Sequence, residues 1–180
     1  MARVPQIAGK ADVPASHQYV VDQVLDVFGR IRGPFSILLH SPELAERLLP
    51  MVPFSREMTV IEARPRFVGI LATVREKDAA YVWAAQVNVA RRSGLSETTI
   101  DVLRSKGDIS ALPPEERDVA TYARQLVLTN KVDQSVFDTL QQRHGTKWLV
   151  ELTAIMSFYG ALCGVVNAFE VPAPDDGDRF

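Results

Sequence analysis

Residues Lys77–Ile100 read KDAAYVWAAQVNVARRSGLSETTI. Asp78 stands where an acid can cap a helix start, Gly94 where a glycine can stop one, and Ser96 where a second helix can begin. Between them positions 79, 82, 86 and 89 follow steps of three, four and three, so they share one helical face. Strand alternation fails across the same window. Two helices joined by a short glycine turn are the reading that fits, and the rest of the chain repeats it.

Upstream, the first fifteen residues carry Pro5 and Pro14 and no periodicity, which predicts a loose arm over 1–15. Ser16 is a cap candidate for a helix that runs to Gly33, with Val20, Val24, Val27 and Ile31 at helical spacing. Phe35–Pro50 predicts two short helices broken at His40–Ser41, because Ser41-Pro42-Glu43 is a helix start. Met51–Thr59 predicts a loop. The pattern resumes from Val60 with Pro65 in a first turn and Phe67, Ile70, Leu71 and Val74 on an apolar face.

Downstream, Ser96–Gly107 predicts a short helix, and Pro113-Pro114-Glu115-Glu116 opens another. Asp133 and Gly145 bracket a third. A last helix runs from Thr146 to about Val171, with Trp148, Leu152, Ile155, Tyr159, Leu162, Val166 and Phe169 on one seam. Residues 173–180 are polar and predict a frayed tail. No β-branched run with two-fold alternation survives between turn signals. The expected fold class is all-α, with about eight helices in a single domain over 16–172.

The composition suits that reading. The chain has 180 residues, 47% apolar, with a formal net charge of −2. This length buries a core without a disulfide or metal, and the charge gives no bias towards nucleic acid. Cys163 is the only cysteine, so no intrachain disulfide forms, in keeping with a reducing cytoplasm. The first residues lack the apolar run of a signal peptide. Leu152–Phe169 carries no charge over eighteen residues, just long enough to span a membrane. Thr153, Ser157, Tyr159 and Asn167 interrupt it, so a buried central helix explains it better than a membrane span. Gly160 and Gly164 within it would let another helix approach closely.

Motifs for common chemistries are missing. One cysteine and three separated histidines, His17, His40 and His144, give no metal-ligand spacing, and no cofactor is implied. There is no phosphate-cradling glycine loop and no nucleophile elbow.

Tyr81–Arg104 (YVWAAQVNVARRSGLSETTIDVLR) nevertheless resembles the core of the carboxymuconolactone decarboxylase family, which includes the alkylhydroperoxidase D-like proteins. LLHSPELAERLLP, LPPEERDVATYARQL and ELTAIMSFYGALCGVVNAFEVP resemble the flanking helices of its long subgroup, in the same order. The resemblance covers about Phe35–Pro172. It implies an alkylhydroperoxidase D-like helical bundle that assembles as a homo-oligomer, a trimer or hexamer.

The peroxidase branch of that family carries CxxCxxxH on the central helix and a relay glutamate upstream. Matching the Tyr-x-Trp-Ala-Ala core puts Ala79 and Val82 at the two cysteines, Gln86 at the histidine and Phe67 at the glutamate. No thiolate forms there, so no disulfide cycle turns over. Glutamine does not titrate near neutral pH, so Gln86 is not a general base, although it donates and accepts hydrogen bonds.

What remains are candidates with two readings each. Gln86 either orients a ligand carboxylate or satisfies a neighbouring backbone group. Tyr81, Phe67 and Val82 line a pocket or fill core. Arg66 holds a carboxylate or is solvated. Tyr159 faces the same cavity or makes a buried packing hydrogen bond. His40, before a helix start, is a second catalytic candidate or a structural surface residue. Three functions follow. The chain binds or transforms a small carboxylated or lactone-type molecule without thiols; it is a degenerate scaffold; or it is a peroxidase, which the missing cysteines oppose.

Overall fold

Capping chemistry explains several helix ends in the computed structural model, which describes residues 1–180. Ten helices follow in order: α1 Gln18–Phe28, α2 Pro34–Leu38, α3 Pro42–Leu48, α4 Met51–Pro53, α5 Ala63–Glu76, α6 Ala80–Arg92, α7 Glu97–Arg104, α8 Pro114–Thr129, α9 Gln134–His144 and α10 Thr146–Ala168. There are no strands. Ser96 Oγ accepts from the Thr99 amide at 3.1 Å and so caps α7. Pro114 opens α8 with its missing N–H where none is needed. Asn130 closes the same helix in the left-handed conformation, at φ 56°.

Several expected boundaries move. Helix α1 stops at Gly29, whose φ of 70° accepts the left-handed stop, rather than at Gly33. Ser16 bonds the His17 ring instead of capping. The loop expected at Met51–Thr59 is helical: α4 passes into a π-turn over Phe54–Met58. Asp78 does not cap α6. It sits at φ 49°, paired with Arg75 and Lys106, and Ala79 takes the cap position without a side-chain bond. The count of about eight helices becomes ten, and the α-helix outside the expected segments is α4, which follows Pro50.

Internal contacts divide the chain into two units, and α10 is shared between them at Cys163–Gly164. The first comprises Met1–Thr59 and Gly164–Pro172. Val20, Val21 and Val24 of α1 are buried here, and α1 and α2 both pack on α3. The arm expected to be loose is pinned. Ile7 and Val13 are buried, the Ile7 amide donates to the Ser36 carbonyl at 2.9 Å, and Arg3 pairs with Glu170 at 2.7 Å. Asp12 Oδ2 accepts from the Ala8 and Gly9 amides, and those bonds, despite some opposing desolvation, hold its carboxyl below the usual range.

The second unit comprises Val60–Cys163 and Ala173–Phe180. Its centre is α5, which packs on α6, α7 and α8. Phe67, Val68, Ile70, Leu71 and Val74 are all buried. Burying each such side chain contributes about 1.5–3 kcal/mol before entropy is subtracted. Gly69 lets α10 approach: a Cβ there would lie 3.0 Å from Met156 Sδ and 3.1 Å from Leu152 Cδ1. The expected role of the Gly160/Gly164 pair holds only in part. A Cβ at Gly160 would meet the Lys77 stem at 3.2 Å, whereas one at Gly164 would meet nothing within 4 Å.

Helix α10 is long and apolar enough to cross a membrane, yet 56% of its most apolar window is buried inside the protein. Its seam is buried from Trp148 to Val166, and only Phe169, at 36% exposure, falls outside it. Residues 173–180 are not frayed. Asp178 accepts hydrogen bonds from Trp83, Arg91 and Arg104, and Gly177 lies so close to Ala84 that a Cβ would stand 2.8 Å from it.

Candidate functional site

Helix α6 presents the face singled out in the sequence. Ala79 is 0% exposed and Val82 3%, while Gln86 and Val89 are half-buried. The face therefore begins sealed and becomes accessible one turn along, at the amide. Tyr159 of α10 reaches Gln86 directly, and Arg66 of α5 joins through Tyr159 and Phe67. From α10, buried Tyr159 donates its Oη hydrogen to Gln86 Oε1 at 3.4 Å, a long bond. From α5, half-buried Arg66 lies over the Phe67 ring at 5.4 Å. Burial pulls the Arg66 guanidinium below its ordinary value, and the field of Tyr159 partly offsets this. Arginine keeps its charge through such a shift.

Gln86, Tyr159, Arg66 and Phe67 are thus linked, one pair to the next. Tyr81 and Val82 are buried on α6. His40 lies in the first unit, exposed, with Nε2 at 2.8 Å from the Pro5 carbonyl. That contact ties the N-terminal segment to the end of α2, a structural task. Cys163 is buried, and desolvation pushes its thiol up to about 12, only slightly relieved by Lys77. It is a core residue with no thiolate at neutral pH.

Two features escaped the sequence. One is a cavity of about 340 Å³ between α5, α8 and α10, whose lining includes Thr73, Lys77, Val127, Asn130, Met156 and Gly160 and does not include Gln86. The other is a buried carboxylate. Glu116, 3% exposed, accepts from Thr99 Oγ1 at 2.5 Å and from Arg64 Nε at 2.6 Å. The proline-acid start of α8 flagged Glu116 as a helix-dipole residue, but only the packing of α5 and α7 shows that it is inside.

Comparison with solved structures places this arrangement. An alkylhydroperoxidase AhpD core, an uncharacterized peroxidase-related protein from Ralstonia eutropha JMP134, superposes with a TM-score of 0.68 over 97% of this chain and 93% of that one, at 18% identity. The chain has the alkylhydroperoxidase D-like fold. A second alkylhydroperoxidase D-like structure, a protein of unknown function from Agrobacterium tumefaciens and an AhpD candidate for antioxidant defence, gives a TM-score of 0.68 at 14% identity. It covers 81% of this chain and all of its own. No protein-family description and no curated protein matches the sequence. At such identities the likeness is one of fold. Helix α6 opens after Ala79 and carries Val82 and Gln86 on the face described above.

Proposed function

We propose that the chain binds a small carboxylated or lactone-type molecule at Gln86, Arg66 and Tyr159, or transforms it by decarboxylase-like lyase chemistry, without thiols or cofactor. The observation that carries this is the Tyr159–Gln86 hydrogen bond together with half-buried Arg66, which feels the field of Tyr159. Three side chains able to donate, from α5, α6 and α10, take part: Arg66, Gln86 and Tyr159. The guanidinium suits a carboxylate, which it can grip through two N–H groups. The phenol and the Gln86 amide suit an oxygen that gains charge. When carbon dioxide leaves, the electron pair of the broken C–C bond must pass to such an oxygen. Phe67 and Val82 supply apolar wall. Assembly as a trimer or hexamer, and residence in the cytoplasm, belong to the same proposal.

A second reading, a catalytically inert scaffold, is supported by the closed packing of Ala79 and Val82. Peroxidase activity, suggested by the descriptions of the two similar structures, requires a thiolate that Cys163 does not supply.

The deciding experiment is a thermal-shift screen of wild type and Gln86→Leu against small lactones, cyclic carboxylic acids and phenolic acids. A rise in Tm that the substitution removes supports the site, and carbon dioxide release from the stabilising compounds then tests turnover. No shift with any compound, and equal stability of the two proteins, favours the scaffold.

A further inference from the structure

Asp178-Arg179-Phe180 is seated on α5, α6 and α7 like a bound peptide. Asp178 Oδ1 accepts from the Trp83 indole N–H at 3.1 Å, and its Oδ2 accepts from Arg91 Nη2 at 2.7 Å and Arg104 Nη2 at 3.1 Å. Two residues on, the Phe180 ring meets Trp83 edge-on at 5.8 Å and 86°, and the Arg75 guanidinium lies over it at 4.0 Å. The two recognised groups, a carboxylate and an aromatic ring, are held by different chemistry at a fixed spacing.

The receptor side is organised by its own acids. Arg91 is gripped by Glu97, Arg104 by Asp101 and Arg75 by Asp78. Arg75 also donates from Nε to the Arg104 carbonyl at 2.6 Å. Each guanidinium therefore has an acidic partner other than Asp178, which lowers the ordering cost of binding. The segment itself is tethered by few bonds of its own; the Gly177 amide donates to the Pro174 carbonyl at 3.0 Å, and Gly177 has no side chain to strike Ala84. Its Asp178 forms ion pairs with Arg91 at 2.7 Å and Arg104 at 3.1 Å.

We propose that Arg75, Trp83, Arg91 and Arg104 form a recognition site for an acid-x-aromatic peptide segment, filled here by the chain's own Asp178-Arg179-Phe180, which acts as a detachable strap. The site takes a carboxylate and, two residues later, an aromatic ring. The same chemistry presented by another polypeptide, including the corresponding segment of a second copy, competes for it once the strap lifts. This inference is independent of any ligand at Gln86.

The test uses the full chain carrying Asp178→Asn and Phe180→Ala, and a fluorescein-labelled synthetic peptide of sequence PAPDDGDRF read by anisotropy. The expected result is saturable binding to the double variant, at least about tenfold tighter than to wild type, whose tethered strap has the advantage of effective concentration. The peptide with Asn and Ala at the two recognised positions does not bind. A folded double variant that fails to bind the peptide, or binds both peptides alike, overturns the proposal. If the double variant does not fold, hydrogen exchange of wild type decides. Amides of 173–180 that exchange well ahead of those in α6 support a detachable strap, and exchange only in step with global unfolding overturns it.

Discussion

Thr99 Oγ1 donates to Glu116 Oε2 at 2.5 Å, joining the first turns of α7 and α8 through a carboxylate that water barely reaches. Arg64 pairs with Glu116 at 2.6 Å, and its own side chain is 54% exposed. Thr99→Val therefore leaves a buried carboxylate short of a donor, at a cost of about 1–3 kcal/mol. Thr99→Ser keeps the donor and recovers most of the loss. Urea midpoints of the three proteins check this; a valine variant as stable as wild type would show that Glu116 is not held by Thr99.

Gly69 and Gly164 make an internal contrast on helices. An added methyl at Gly69 presses on Met156 and Leu152, so Gly69→Ala is expected to destabilise by about 1–3 kcal/mol. An added methyl at Gly164 meets nothing, so Gly164→Ala is expected to stabilise by about 0.5–1 kcal/mol through helix propensity. Opposite signs in thermal melts bear out the packing; a destabilised Gly164→Ala would place another surface against α10.

Cys163 provides a chemical prediction. With the thiol raised to about 12, roughly one molecule in ten thousand carries a thiolate at pH 8. Native protein is expected to resist iodoacetamide at that pH and to react fully in denaturant. Cys163→Ala is expected to leave any peroxide consumption unchanged, and loss of such activity in the variant would reinstate a thiol mechanism.

Asp178 governs a pH dependence of defined sign. Burial alone would raise its carboxyl, but the Trp83 and Arg91 hydrogen bonds and the charges of Arg104 and Arg91 hold it below the ordinary value. A lowered folded pKa means that the strap contributes stability above the ordinary carboxylate value of about 3.9 and loses it as pH falls through the lowered one. Wild type is thus expected to melt higher than Asp178→Asn at pH 6, with the gap closing at more acidic pH. A gap independent of pH would assign the effect to shape instead of charge.

How far the chain could be read in advance depends on the range of the interaction. Ser96, Pro114 and Gly145 act within one turn, and the helix ends they mark are where local chemistry puts them. Gly29 and Gly33 show the limit. Both adopt positive φ, and sequence alone does not say which one ends α1. The turn at Met51–Met58 hides because Pro50 and Pro53 interrupt the periodicity that would reveal it. Gln86 emerged from resemblance, but its contact with Tyr159, 73 positions away, is a product of packing. The strap was illegible for the same reason: Arg91 and Arg104 look like ordinary surface arginines until two helices bring them to Asp178, and Arg75 does until a third helix lays it over Phe180.

The sealed turn at Ala79 and Val82 also bears on durability. A sulfur nucleophile is consumable: each encounter with excess oxidant risks a sulfinic or sulfonic acid that no ordinary reductant restores. A methyl and an isopropyl group at those positions have no such ladder to climb. The turn at Ala79 and Val82 consequently offers an oxidant no sulfur to modify, and it needs no reductant to restore it.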